Sequence, residues 1–392
     1  MHPLSLIAGI LLLLYALIDA FQTVILPRRA TGRFRLTRIF YVVTWTPWSW
    51  MATRVKNTRK RETLLSIYGP SSLVALIVIW ASALVFGFGL IFHALGSPFN
   101  DPLGRMDAWH TDFYVSGTTI FTLGLGDVVP QSTLVRSLIV LEAGMGLGFV
   151  ALVIGYFPVL YGAFSRREVV ISLLDARAGS PPTAAELLKR HAFEGGADAL
   201  ALLLEEWERW SAELMESHIS YPLLCYFRSQ HSNQSWLGGL TSVLDACAML
   251  IASVKEHPAR QAQLTFAMAR HALVDLSQIF SLVPVKEMPD RLPDSDFLKL
   301  QDRLCEHGVP LCRDEKSQER LRHMRQLYEG HAEALSRFLC MPLPPFITAS
   351  PHKDNWLSVA KLRAQTEAVG APEKSAEQIA AALLQDEDSH VF

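Results

Sequence analysis

The sequence predicts an all-α membrane protein whose membrane part is followed by a soluble all-α bundle. Half of the 392 residues are hydrophobic, and the mean hydropathy is +0.21. The apolar residues are concentrated at 3–26, 66–95 and 134–164. Each segment is long enough to cross a hydrocarbon layer of about 30 Å, which takes about 20 helical residues. The chain after residue 164 has helical periodicity and no alternating strand pattern.

The first apolar segment predicts a transmembrane helix within residues 1–27. A cleaved signal peptide carries its positive charge before the apolar run, whereas the charge here follows the run, which favours a retained helix. Asp19 lies inside this segment, and a carboxylate facing lipid is costly. We therefore expect Asp19 to face protein or to lie near the inner membrane interface.

Residues 28–62 are predicted to form a basic cytoplasmic loop. Between positions 28 and 61 there are ten basic residues and no acid: Arg28, Arg29, Arg33, Arg35, Arg38, Arg54, Lys56, Arg59, Lys60 and Arg61. By the positive-inside rule this loop is cytoplasmic, so the N-terminus lies outside and the third span returns to the inside. The same charge predicts contacts with anionic lipid headgroups near residues 28–61.

An apolar stretch at 36–55 interrupts the basic loop and contains Trp45, Trp48 and Trp50. Tryptophans prefer the headgroup level of a membrane, so we expect an amphipathic helix along the inner surface, broken near Pro47. A complete crossing is the alternative, but it would place one basic cluster outside.

The third group of observations concerns residues 118–130, which read T-T-I-F-T-L-G-L-G-D-V-V-P between two apolar segments. A dehydrated cation needs oxygens at fixed spacing, which an extended backbone supplies when every carbonyl turns inward. Glycines at alternate positions allow this, because they accept backbone angles that other residues resist. The run predicts an ion-selectivity filter formed by Thr122, Leu123, Gly124, Leu125 and Gly126.

This motif resembles the T-V-G-Y-G signature of potassium channels, and the chain resembles prokaryotic members of the two-transmembrane potassium-channel superfamily. Leu123 replaces the valine, and Leu125 replaces the tyrosine whose hydroxyl ties the filter to the pore helix in the family. A similar G-L-G form occurs in the second pore of some eukaryotic two-pore-domain channels. The resemblance implies a homotetramer, because one chain supplies one filter strand of four, with K⁺ as the permeant ion and no cofactor.

The resemblance also implies the elements of a pore domain at 63–164. We expect an outer helix at 66–95, a pore helix at about 112–121, the filter at 122–127 and an inner helix at 134–164. Capping residues at 107–111 precede the pore helix. Its C-terminal end would point at the conduction path, where the partial negative charge favours a cation.

Several residues are expected to support the filter. Asp127 follows it directly and matches the family aspartate that buttresses the outer end. Thr118 and Thr119 precede it at the end of the pore helix. Glu142 would be costly facing lipid, so we expect it to form a hydrogen bond behind the filter or the pore helix.

The inner helix contains candidates for gating. Gly144 and Gly148 have the spacing of a small-xxx-small helix contact, and a hinge at one of them is the alternative. Pro158 would kink the helix below them.

Residues 165–392 are predicted to form a cytoplasmic helical regulatory domain, with helices at 197–220, 235–256, 260–282, 317–338 and, more weakly, 375–384. No G-x-G-x-x-G follows a strand, which argues against a nucleotide-binding Rossmann domain. The segment 218–236 is dense in aromatic and hydrogen-bonding groups, and it predicts either a small-molecule pocket or interhelix packing. Cys305, His307 and Cys312 do not have a standard zinc spacing.

Together these features predict a multi-pass channel in the plasma membrane, expected to be a bacterial inner membrane. It would be potassium-selective, gated through its cytoplasmic helices, without enzymatic activity and without a nucleic-acid partner. Two alternatives stay open. One is a weakly selective monovalent cation channel, and the other is a membrane-anchored sensor or interaction protein whose soluble half is the effector.

Overall fold

The structure is a computed structural model that describes residues 2–26, 35–101, 107–230, 233–254, 259–309, 311–312 and 314–347. The described chain is essentially all-α, which confirms the predicted fold class. Three bases of the predicted loop (Arg28, Arg29 and Arg33) and the weak helix at 375–384 lie outside the described residues.

The helices are α1 (Pro3–Val24), α2 (Leu36–Thr53), α3 (Thr58–Ala94), α4 (Ala108–Ile120), α5 (Thr133–Ala178), α6 (Ala184–Arg190), α7 (Gly196–Ser220), α8 (Trp236–Ser253), α9 (Ala259–Ile279), α10 (Asp294–Glu306), α11 (Glu315–Gln326) and α12 (Glu329–Leu339). A short 3-10 helix, Pro222–Tyr226, follows α7. The strands β1 (Phe99–Asn100) and β2 (Val129–Pro130) pair antiparallel. We call α6–α12, with the 3-10 helix, the C-terminal bundle.

Four of these helices, α1, α3, α5 and α8, are long and apolar enough to cross a membrane. The first three contain the predicted spans. In contrast, α8 lies inside the C-terminal bundle, and protein buries 94% of its 18 residues. Its composition therefore reflects a bundle core, because a helix that is apolar on all sides is satisfied by surrounding protein as well as by lipid.

The inner helix α5 is longer than its predicted range of 134–164. It has 46 residues, or about 69 Å at 1.5 Å per residue, more than twice the thickness of a hydrocarbon layer. Beyond Phe164 the buried residues Arg167, Ile171, Leu174 and Ala178 recur at helical spacing. This face packs on the C-terminal bundle, so the helix continues where the apolar run ends.

The other membrane helices also differ from their predicted bounds. The outer helix α3 begins at Thr58, where Asn57 caps it, so it includes the end of the predicted basic loop. Asp107 caps α4 and starts it four residues before the expected pore helix. In both cases a side-chain cap sets the start of the helix, upstream of the first apolar residues.

The prediction that the helix at 36–55 breaks near Pro47 is wrong, because α2 is continuous from Leu36 to Thr53. Proline removes one backbone hydrogen bond from a helix interior. Tryptophans on both sides of it hold α2 in place. The Trp45 indole donates to the Phe338 carbonyl at 2.9 Å, and the Trp48 indole donates to the Leu64 carbonyl at 3.1 Å.

Asp19 of α1 is buried against protein and binds the first turn of α2. Its carboxylate accepts from the Thr37 backbone N–H at 3.2 Å, from the Thr37 hydroxyl at 2.6 Å and from the Trp80 indole at 2.9 Å. Arg35 lies 3.8 Å away as an ion partner. A carboxylate at a helix N-terminus satisfies orphan amides and favours the helix dipole, so Asp19 caps α2 from a neighbouring helix.

The C-terminal bundle is built around α8 and contains two helices that the periodicity did not predict, α6 and α10. The single helix predicted at 317–338 is wrong, since α11 ends at Gln326 and α12 begins at Glu329. Tyr328 between them is fully buried and its hydroxyl donates to Asp245 of α8. That contact turns the chain toward the core at this point.

Buried charges join α8, α11 and α12. The guanidinium of Arg291 binds the Asp245 carboxylate at 2.7 Å and Glu329 at 3.2 Å, and Arg325 binds Glu329 at 3.0 Å. Asp245 is 1% exposed at its side chain. Each carboxylate in this group depends on its arginine partners, because an unpaired buried charge is costly.

We predict that Arg291→Met lowers the free energy of unfolding by about 3–5 kcal/mol, because it leaves the buried Asp245 without a charge partner and Glu329 with Arg325 alone. Thermal unfolding of the full-length protein in detergent measures the change. The control is Arg322→Met, which removes an exposed ion pair with Asp294 and should cost less than about 1 kcal/mol. Equal losses in the two variants would contradict a buried charge network.

Candidate ion-conducting site

The predicted filter is an irregular segment that leaves the C-terminal end of α4. Its backbone alternates in the sign of φ. Thr122, Gly124 and Gly126 have φ of 56°, 55° and 75°, whereas Leu123 and Leu125 are not in the positive region. A strand with uniform φ points successive carbonyls to opposite sides. Alternation of the sign is the condition under which they can face one side, and two of the three positive positions are glycine.

The amides at the start of this segment are bound by the last turn of α4. Leu123 and Gly124 donate to the Thr118 carbonyl at 2.8 and 3.4 Å, and Thr122 donates to the Thr119 carbonyl at 3.0 Å. Within the described part of the chain, no hydrogen bond is donated to the carbonyls of 122–126. These oxygens are therefore left available to another ligand.

The outer end of the segment is bound to the pore helix by a contact that the sequence analysis missed. The Tyr114 hydroxyl on α4 donates to the Asp127 carboxylate at 2.8 Å. Leu125 has no hydroxyl that could bind the pore helix. Tyr114 supplies the hydroxyl from the helix instead, and it binds the residue that follows the predicted filter. The available signal was a phenol inside the predicted pore helix, next to a filter that lacks its usual tyrosine.

The pore helix is held from the outer-helix side by Asp112, which is fully buried. Its carboxylate accepts from the Ser97 hydroxyl at 2.6 Å and lies 3.0 Å from His93 Nδ1. His93 is thereby engaged in a structural contact. The paired strands β1 and β2 join the two flanks of the loop, where Gln131 donates to the Pro98 carbonyl at 2.9 Å.

The inner helix approaches α4 at two positions. Glu142 is fully buried, and its Oε1 lies 2.5 Å from the Ser116 hydroxyl, which is also 2.9 Å from the Val85 carbonyl. One turn further along, a Cβ on Gly146 would lie 2.3 Å from the Ile120 carbonyl. Only glycine fits there, so Gly146 allows α5 to touch the end of the pore helix.

The gating candidates Gly144 and Gly148 have a different environment. A Cβ at either position would meet no atom of the residues that the structure describes within 4 Å. Among the described residues, neither glycine therefore makes a close contact like that of Gly146, and the hinge stays a prediction. Pro158 lies inside α5, which continues through it to Ala178.

In a single chain, apolar side chains of the predicted filter and of the inner helix are exposed. Leu123 is 62% exposed and Leu125 is 63% exposed. On α5 the apolar side chains of Val140 and Ile154 are 73% and 67% exposed. Large apolar side chains exposed to this degree need lipid or protein to cover them.

The inner helix is joined to the C-terminal bundle through Arg167. This buried guanidinium donates to His218 Nε2 at 3.1 Å, to the Leu224 carbonyl at 2.9 Å and to the Phe227 carbonyl at 2.8 Å. Burial, reinforced by Arg167, lowers the pKa of His218 well below its usual value, so the imidazole is neutral and accepts this bond. The Arg167 carbonyl in turn accepts from the Trp210 indole at 3.2 Å.

The aromatic segment at 218–236 has two environments. His218 and Trp236 are fully buried, and the Trp236 indole donates to the Cys225 carbonyl, so these side chains serve packing. Tyr221 and Tyr226 instead line a cavity of about 480 Å³. Interhelix packing therefore accounts for the fully buried part of the segment, and the small-molecule pocket stays a prediction.

Residues 78–160 match the family model described as ion channel. This segment is an ion-channel pore domain. The match spans the end of the outer helix, α4, the predicted filter and most of the inner helix, and it confirms the resemblance seen in the sequence. The family also points away from an enzyme.

The chain is similar to the uncharacterized membrane protein YdjJ of Bacillus subtilis (strain 168), with 26% identity over 348 residues. The alignment covers 84% of this chain and 94% of the relative. The similarity therefore extends past the pore domain into the C-terminal bundle. No solved structure gives a significant match.

We predict that Tyr114→Phe releases the outer end of the filter, because it removes the hydroxyl that binds Asp127. Ion flux should become less selective or decay faster during activity, and combining it with Asp127→Asn should add little. Flux through liposomes with each variant measures this. Tyr161→Phe is the control, because that ring stacks on Phe157 and is half-exposed. Fully additive effects would contradict a direct Tyr114–Asp127 link.

We predict that Gly146→Ala displaces α5 from the pore helix, because its Cβ would overlap the Ile120 carbonyl. The thermal midpoint of the full-length protein should fall by several degrees, and conduction should fall with it. Gly155→Ala is the matched control, since a Cβ there meets no atom of the described residues within 4 Å. A Gly146→Ala protein as stable as the control would show that this approach is not tight.

Proposed function

We propose that this ion channel is a homotetrameric, potassium-selective pore. The observation that supports the proposal most directly is the run 122–126, where alternating φ accompanies carbonyls that no described group satisfies. Four such runs around one axis would replace the water shell of a dehydrated cation, and ions would advance by mutual repulsion. K⁺ is the permeant ion, and Thr122, Leu123, Gly124, Leu125 and Gly126 provide its ligands.

The homotetramer follows from what one chain lacks. A single chain provides one strand of a filter and leaves Leu123 and Leu125 exposed on its flank. Closed fourfold symmetry would place copies of the same surface around the axis, and would bury these side chains together with part of α5. Gly144 and Gly148 then have two roles available, as contacts between subunits or as hinges, with Pro158 nearer the far end of the helix.

Cation preference would come from the electrostatics of the mouth and the pore helix. Asp107 and Asp127 lie at the two ends of the pore-helix and filter segment. The C-terminal end of α4 adds a partial negative charge where the filter begins. Acidic groups around a narrow mouth raise the local concentration of cations.

The proposed location is a bacterial inner membrane, with the N-terminus outside and the C-terminal bundle in the cytoplasm. The supporting observation is the charge of residues 28–61, which contain ten bases and no acid. This segment would also contact anionic lipid headgroups. The chain after residue 62 has ten more acids than bases, since the formal charge of the whole chain is −2.

Gating would be transmitted along α5. The helix has no break between the pore and the bundle, and Arg167 binds it to α7 and to the segment after the 3-10 helix. A shift of the bundle would therefore move the inner end of the pore-lining helix directly. This continuity favours a channel regulated by its bundle over a protein whose membrane part is a passive anchor.

We predict that the purified full-length protein conducts K⁺ in liposomes and that Gly124→Ala or Gly126→Ala reduces the flux by at least about tenfold. Alanine is disfavoured at positive φ by about 1–2 kcal/mol, and its methyl group disturbs the carbonyl alignment. Gly96→Ala is the matched control, because Gly96 has φ of 90° and open space but lies outside the filter.

Two further measurements decide the finer points. Reversal potentials in mixed K⁺ and Na⁺ separate a potassium-selective pore from a weakly selective cation channel. Native mass spectrometry gives the number of subunits. A stable assembly that is not fourfold, or flux that survives both filter variants, would overturn the proposal.

A further inference from the structure

The cavity of about 480 Å³ lies at the end of the pore module away from the filter. Tyr156 of α5 lines it, about 35 Å along the helix from its first residue, Thr133. Three parts of the molecule bound the cavity. They are the ends of α1 and α2 that face each other, the inner parts of α3 and α5, and the C-terminal bundle. Its size is in the range of sites for small molecules.

One region of the cavity is aromatic. Tyr41 and Trp45 of α2 meet Tyr226, whose ring stacks on Tyr41 at 5.4 Å between centroids. Phe280 and Phe338 of the bundle complete this wall. Such a surface binds acyl chains or rings, because burying apolar area is favourable and the rings are already held in place.

Another region of the cavity is basic. Arg35 and Arg38 line it, and none of the lining residues that the structure describes is an aspartate or glutamate. Arg35 is partly compensated by Asp19 at 3.8 Å. Arg38 is exposed and has no ion pair with any residue that the structure describes. The cavity therefore has a net positive lining.

Tyr41 adds an unused hydrogen-bonding group. Its buried hydroxyl makes no hydrogen bond of good geometry within the described residues, although Ser72 lies near it. The Ser72 hydroxyl donates instead to the Gly69 carbonyl at 2.8 Å. Burial raises the pKa of Tyr41, so this residue lines the cavity as a neutral side chain and adds no negative charge to it.

We propose that this cavity binds an amphipathic anion, with the acidic head at Arg35 and Arg38 and the apolar body against the aromatic wall. A lipid with an acidic headgroup and a soluble acid with an apolar tail share this chemistry. The occupant would touch α2, Tyr156 of the inner helix and Phe338 of the bundle at once. Any effect of the occupant on gating rests on the proposed function, whereas binding to the cavity does not.

The test is binding to the full-length protein in neutral detergent, measured by native mass spectrometry. The probes are phosphatidylglycerol, phosphatidylcholine, octyl phosphate and inorganic phosphate. Arg38→Gln removes the unpaired charge, and Arg54→Gln is its control directly after the same helix, outside the cavity. Gln278→Trp narrows the cavity from an exposed position of α9, and Gln263→Trp places the same side chain on the same helix outside it.

We expect the affinity for phosphatidylglycerol, octyl phosphate or both to fall about tenfold in Arg38→Gln and Gln278→Trp and to stay unchanged in the controls. Binding of phosphatidylglycerol alone identifies a lipid, and displacement of it by octyl phosphate identifies a site that also takes soluble acids. Equal binding of phosphatidylcholine or inorganic phosphate, no binding of either anionic amphiphile, or equal losses in the controls would overturn the proposal.

The same titration on Gly124→Ala protein separates this proposal from the proposed function. That variant changes the filter and leaves the cavity intact. If the protein proved not to be a potassium channel, binding of the anionic amphiphile and its loss in Arg38→Gln would still be measured. If the cavity did not bind an anionic amphiphile, K⁺ flux would persist while selective binding was absent.

Discussion

The backbone of residues 122–126 is the constraint on which the rest of the pore domain depends. A segment with alternating φ and unsatisfied carbonyls is unfavourable in isolation, since its oxygens lose hydrogen bonds and Thr122 adopts a left-handed conformation. Surrounding structure must therefore hold it. The last turn of α4 binds the amides at its start, and α3 and α5 hold α4.

Three carboxylates contribute to this support, and each lies at a different edge of the pore helix. Asp127 is bound by a hydroxyl from the helix itself, Asp112 by groups at the end of α3, and Glu142 by a serine that faces α5. Asp112 and Glu142 are fully buried, and buried carboxylates are costly unless they are hydrogen-bonded. Where they are satisfied, they specify one arrangement of neighbouring elements more strictly than apolar contacts do.

The second organising feature is the uninterrupted inner helix. Its apolar half belongs to the pore domain and its polar half to the C-terminal bundle, and Arg167 at the transition binds three groups of the bundle side. A rigid helix of this length transmits a displacement with little loss. The cavity beside Tyr156 lies against this helix, so an occupant with different affinities for two helix positions would shift their populations.

Sequence alone determined the local features: three apolar spans, the alternating glycines of the filter, and Asp127 directly after it. These depend on composition and short spacing, which one segment contains in full. Tertiary structure decided the partners, because contacts between distant segments leave no local periodicity. Tyr114 binds Asp127, and α2 continues through Pro47 because tryptophans anchor it on both sides. Gly146, and neither Gly144 nor Gly148, meets the pore helix. Each of these required knowing which surfaces face each other, and only packing provides that.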